Sequence, residues 1–285
     1  MRRVRWRWNR GHPPQRADVA WQPGRTFRPT WAGRLPKEIE ARWTSLHRSC
    51  ADFASRARLT RLIDRLTSAD RGVRESALAE LELATLLIRA NASVAFLPES
   101  QARTADLECV VGQERMFVEV TAMAGRAFRH RPALSLARQD RETARGQEGN
   151  EDGKKLIDRV LARVAQKAKQ LADYHAPVLL AVSVPRSDAK LRREQRQKVE
   201  EVDLKLLAGT VTLFLSKLPQ LSAVLLSLWE VEPMVSRSGI RLANVLVVER
   251  SCRQSMSPRV RVLITNPWAG FPMSEVQRET LARLL

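Results

Sequence analysis

Cysteine is scarce in this chain of 285 residues: Cys50, Cys109 and Cys252 are all there are. They are odd in number, far apart, and share no CxxC spacing. That argues against a disulfide framework or a zinc cluster and fits a reducing compartment such as the cytoplasm. The four histidines, His12, His47, His130 and His175, show no paired ligand spacing either. No window reaches the roughly 18 uninterrupted apolar residues that a membrane span needs. Arg2, Arg3, Arg5 and Arg7 follow Met1 with no apolar stretch after them, so a secretion signal is not expected. Acids are outnumbered, with 31 Asp and Glu against 49 Lys and Arg and a net charge of +18. Such an excess favours a polyanionic partner, nucleic acid above all, through phosphate contacts and counterion release. Arginine greatly outnumbers lysine, and a GC-rich genome produces the same bias without any function, so the charge has two explanations.

What is present is enough for a core, since apolar residues make up 44% of a chain long enough to bury them. Residues 1–35 carry no hydrophobic period and are rich in Arg, Trp, Pro and Gly, which reads as an extended or disordered arm. Interleaved Trp and Arg there could stack on bases or follow phosphates. Residues 36–285 read as one α/β unit with no internal repeat. A helical pattern runs from Ser45 to Leu66, with Phe53, Leu59, Leu62, Ile63 and Leu66 as its apolar positions. A second helix starts at Ser68 or Asp70 and stops at Asn91. Strands are predicted over Val94–Leu97, Asp106–Val111 and Met116–Thr121, the last two joined by a turn at Gly112-Gln113-Glu114-Arg115. After a polar loop over 125–153, a long helix is predicted from Gly153 to Tyr174, with a seam of Ile157, Val160, Leu161, Val164, Ala168 and Leu171. Val178–Val184 is apolar but for Ser183, as a buried strand after a crossover helix should be. Further elements are a helix over Leu204–Leu218, strands over Leu221–Trp229, Val245–Glu249 and Val260–Ile264, and a terminal helix capped by Ser274.

Glu119 lies inside Met116-Phe117-Val118-Glu119-Val120, where a carboxylate is costly unless paired, metal-bound or at an edge. Glu119 and Thr121 share a strand face because side chains alternate with period 2. A hairpin would bring Asp106 near that face, and two carboxylates at one point can hold Mg²⁺ or Mn²⁺. The succession helix, strand, Asp-strand, turn, Glu-strand, long helix, buried strand resembles the core of the PD-(D/E)XK nuclease superfamily, over about 100 residues at 70–185.

The resemblance implies an α/β fold with a restriction-endonuclease-like αβββαβ core and additional C-terminal strands and helices. It implies a metal-dependent nuclease acting on nucleic acid, with DNA as the expected substrate. Asp106 and Glu119 match the metal-binding acids, and Glu80 on the first helix matches an additional ligand. Glu80 and Glu82 lie about 200° apart around that helix, so one of them is expected to face the sheet. Thr121 stands where the family usually has lysine, and a hydroxyl supplies no cation. Either a lysine of the long helix, Lys155, Lys167 or Lys169, takes that place, or the fold binds nucleic acid without cutting it. Gln170 and Tyr174, the only tyrosine, match a Q-x-x-x-Y pattern of the helicase-associated branch and would position the substrate strand. Arg192 and Arg193, in a charge-dense stretch over 185–201, are further candidates for nucleic-acid contact, against the alternative of a solvated helix face.

Overall fold

The computed structural model describes residues 35–50, 52–98, 105–123, 151–184, 200–234, 242–251 and 257–285. The arm before residue 35, the polar loop at 124–150 and the basic stretch with Arg192 and Arg193 lie outside the described residues.

Three helices open the described chain: α1 (Lys37–Ser49), α2 (Phe53–Leu66) and α3 (Arg71–Arg89). The pattern over 45–66 is therefore two helices rather than one. The break falls where Asp52 turns its carboxylate to the Ser55 N–H at 2.7 Å and starts a new helix. Phe53, expected in the apolar stripe, is instead 87% exposed at the first position of α2. Asp70 caps α3 by accepting the Val73 N–H at 3.0 Å. Asn91, with φ of 63°, ends the turn after α3, the left-handed conformation that asparagine tolerates better than most residues.

The chain then builds β1 (Ser93–Phe96), β2 (Leu107–Val111) and β3 (Glu114–Ala122) as an antiparallel series. Gly112 and Gln113 make the turn between β2 and β3, with Val111 paired to Glu114. Gly112 has φ of +64°, which a two-residue hairpin turn demands and glycine supplies without strain. Helix α4 (Glu151–Ala168) leads to β4 (Val178–Val184), which lies parallel to β3. All seven residues of β4 are buried, as a central parallel strand covered on both faces requires. Helix α4 stops at Ala168, not at Tyr174, so Gln170 and Tyr174 sit in the turns that follow and share no helix face.

The remainder adds β5 (Glu200–Val202), α5 (Leu204–Leu215), β6 (Ala223–Leu228), β7 (Val231–Pro233), β8 (Val245–Glu249), β9 (Val260–Thr265) and α6 (Glu275–Ala282). One mixed sheet runs in the order β1-β2-β3-β4-β6-β9-β8, and β5 pairs with β7 in a separate two-stranded sheet. That small sheet had no sequence signal, because its strands are three residues each.

The large sheet is sandwiched. Trp43, Leu46, Leu59, Leu62, Leu81 and Leu87 of α1–α3 pack with Val118, Val120 and Leu179 on one face. Leu156, Val160 and Val164 of α4 and Leu207 and Val211 of α5 pack with Leu180, Val182 and Val224 on the other. Among the described residues no helix is long and apolar enough to cross a membrane.

Candidate functional site

Strand β3 supplies the first acid. Val118 and Val120 point to the α1–α3 layer, so the alternate residues Phe117, Glu119 and Thr121 face the α4 layer. Glu119 and Thr121 are both buried. Asp106 supplies the second acid from the residue just ahead of β2, whose first strand residue, Leu107, pairs with Val118. Strand β3 runs on past this point, which leaves the Val120 N–H without a partner strand on that side. The Asp106 side chain takes over, with Oδ2 accepting from Val120 N at 2.8 Å. The hairpin thus brings Asp106 close enough to Glu119 for its charge to raise the Glu119 carboxyl.

A cation arrives from α4. Lys167 Nζ donates to Glu119 Oε1 at 2.5 Å, near the C-terminal end of the helix. Lys169, two residues on, is past the end of α4 and exposed. Lys155, near the start of α4, is also exposed. Of the lysines proposed to replace the missing one at Thr121, Lys167 is the one that reaches the acids.

Further cations come from α2, where sequence reading had placed none. Arg58, almost fully buried, sets its Nη2 3.2 Å from Glu80 Oε1 and 3.7 Å from Asp106 Oδ1. Arg65 Nη1 holds Glu80 Oε2 at 2.8 Å. Glu80 is 1% exposed and Glu82 6%, so both of this pair on α3 are buried, not one. They can be, because each has its own arginine. Glu82 Oε1 accepts from Arg261 Nη2 of β9 at 2.8 Å. Arg58 carried a sequence signal after all: it shares the α2 stripe of Leu62 and Leu66, where a cation has to be buried and therefore partnered.

The electrostatics follow from this crowding. Burial first, and then the Asp106 charge, push Glu119 up to about 7, against the pull of Lys167. Glu80 is pushed up to about 7 by the same two causes, against Arg58 and Arg65. Asp106 is raised by burial and held back by the Val120 N–H and the nearby cations. Raised acids of this kind occur at functional sites and also in structural ion-pair networks.

Tyr174 does not reach outward as a substrate contact would. Its hydroxyl accepts the Ala105 N–H at 2.6 Å, and its ring packs on Phe117 with centroids 4.4 Å apart. It pins the chain just before Asp106. Gln170 is half-buried in the turn after α4.

Known proteins give no further handle. No family model, characterised protein or solved structure matches this chain. The donor set must therefore be judged on its own chemistry. Among the described residues no three His, Cys, Asp or Glu side chains are grouped to hold a metal ion. The fit to a hard divalent cation rests on two carboxylates, Asp106 and Glu119. The Val120 carbonyl lies on the same side of β3 as the N–H bound by Asp106 and so faces the same opening. Two carboxyl groups pressed together in a poorly solvated site repel as anions, and a divalent cation between them relieves that repulsion. The oxygens suit Mg²⁺ or Mn²⁺, which take a few protein ligands and keep waters. Glu80 shares Arg58 with Asp106, 3.2 Å from the guanidinium on one side and 3.7 Å on the other.

Proposed function

We propose that this chain is a metal-dependent nuclease of the PD-(D/E)XK type, hydrolysing phosphodiester bonds in DNA, and that its missing motif lysine is replaced by Lys167. The observation that carries the reading is the 2.5 Å contact between Lys167 and Glu119 beside Asp106. Support for the fold comes from the succession of α3, β1, β2, β3, α4 and β4, with Asp106 and Glu119 on neighbouring strands. Asp106 and Glu119 would hold Mg²⁺ or Mn²⁺. The chemistry the bound ion supplies is polarisation of the phosphoryl group and activation of a water for in-line attack. Lys167 would offer its ammonium to the charge that accumulates on the phosphoryl oxygens, the contribution that Thr121 cannot make. The packed rings of Phe117 and Tyr174 hold the entry to β2, so that Asp106 keeps its place.

A second reading, a nuclease-like module that binds nucleic acid without cutting it, is favoured by one feature. The three acids Glu80, Asp106 and Glu119 are matched one for one in formal charge by three cations, Arg58, Arg65 and Lys167, without a metal ion. DNA cleavage assays with Mg²⁺ and with Mn²⁺ separate the two. The nuclease reading expects metal-dependent cleavage that Asp106→Ala and Glu119→Ala both abolish while DNA binding survives. Binding without cleavage by the wild type under either metal would select the second.

A further inference from the structure

Arg58 is not a surface charge that happens to touch the site. It rises from α2 through the stripe that packs against the sheet, and one nitrogen, Nη2, stands between two acids from different elements. Glu80 of α3 lies on one side at 3.2 Å and Asp106 on the other at 3.7 Å. The Asp106 carboxyl is thus approached at both oxygens, Oδ2 by the Val120 N–H and Oδ1 by the arginine. The hydrogen bond fixes one oxygen and the charge contact biases the other, so together they restrict how the carboxylate can turn. Glu80 is in turn held by two guanidinium groups: Arg65 Nη1 bonds Oε2 at 2.8 Å, and Arg58 Nη2 lies 3.2 Å from Oε1, which among the described residues accepts no hydrogen bond.

Resting on the metal-site reading above, we propose that Arg58 is a positioning residue that orients Asp106 as a metal ligand, and that Glu80 is the anchor of Arg58 rather than a ligand itself. Arginine suits this place better than lysine. Its charge is permanent, and it reaches across from a neighbouring helix with donors in a fixed plane. The acid on α3 then serves the site at one remove, by keeping a buried cation in register. Partners that orient metal ligands in this way commonly change metal affinity by about 10- to 100-fold when removed.

The test is Mn²⁺ binding to the full chain, followed by the electron paramagnetic resonance signal of the free ion at fixed pH and ionic strength. Asp106→Asn and Glu119→Gln are expected to lose binding. Arg58→Met is expected to weaken it about 10- to 100-fold. Arg58→Lys, which keeps the charge but not the reach, should fall between Arg58→Met and the wild type. Glu80→Gln loosens the anchor and should weaken binding less than Arg58→Met does, whereas Arg261→Met breaks the other buried ion pair of α3, away from the site, and so loses thermal stability yet should retain wild-type affinity. That contrast separates positioning from mere stability, and Arg58→Lys keeps the comparison open should Arg58→Met fail to fold. Wild-type affinity in both Arg58 variants would overturn the proposal. So would a loss in Glu80→Gln as deep as that in Asp106→Asn, which would make Glu80 a ligand. A wild type that takes up no Mn²⁺ would sink the nuclease reading itself and this inference with it.

Discussion

At the scale of single residues, the cluster is governed by the cost of placing charge where water is scarce. Glu119 tolerates its position because Lys167 offsets part of that cost, and Lys167→Ala should reduce cleavage by about 10²-fold or more, as removal of a fixed transition-state donor does. Single-turnover cleavage rates check this, and an unchanged rate would remove Lys167 from the proposed chemistry. The pH dependence of stability has a definite sign. An ordinary glutamate titrates near 4.5, whereas Glu119 in the folded protein does so at about 7. Between those values the folded state keeps a proton that the unfolded chain has released. The unfolded state then binds fewer protons, so stability falls as pH rises through this window. Glu80, raised in the same direction, adds to the fall. The expected result is a melting temperature that declines between about pH 5 and pH 7.5, less steeply in Glu119→Gln, and recovers partly when Mn²⁺ is added at the upper end. Thermal melts across that range test it, and equal slopes for wild type and variant would contradict the assignment.

At the scale of elements, the hairpin and its neighbours explain what could be read from sequence and what could not. Strand β4 was legible to the residue because a run of seven residues, apolar but for Ser183, has few other uses, and the Asp70 and Ser274 caps were legible because capping chemistry is local. The Asp106–Glu119 pair was legible because Gly112 fixes the turn between them and period 2 fixes the faces. Arg58, Glu82 and Arg261 were not read as buried, since each is buried by virtue of a partner from elsewhere in the chain; Glu82 and Arg261 are 179 positions apart. The end of α4 was misplaced for a related reason. Leu171 and Tyr174 continue an apolar spacing past Ala168, but they serve tertiary contacts rather than a helix face. Tyr174 gives the prediction that belongs here. Tyr174→Phe keeps the ring against Phe117 but leaves the Ala105 N–H without its acceptor, and should cost about 1 kcal/mol. Urea unfolding measures this directly. No change in the midpoint would return Tyr174 to the role of a pure substrate contact.

At the scale of the whole molecule, two features span the chain. The first is the buried pair of Glu82 and Arg261, which ties α3 to β9 across one face of the sheet, with Arg261 Nη1 also donating to the Leu284 carbonyl at 2.5 Å. Arg261→Ala strands a buried carboxylate and should destabilise by about 3–5 kcal/mol, whereas Arg261→Met combined with Glu82→Leu should recover much of it. Denaturant midpoints of the two variants decide the matter. The second feature is the net charge of +18, which bears on function because the site itself contributes none of it. Counted as formal charges, three acids and three cations cancel at Glu119, Asp106 and Glu80, so the formal excess lies on the rest of the chain. Binding to DNA should therefore be steeply salt-dependent and indifferent to Asp106→Ala and Glu119→Ala. If six to ten phosphates are neutralised, affinity should drop by about 10³- to 10⁵-fold between roughly 50 and 200 mM salt. A titration of labelled duplex over that range gives the slope. A flat profile would mean that the arginine excess reflects codon composition, and a substrate other than nucleic acid would then have to be sought for the acid pair.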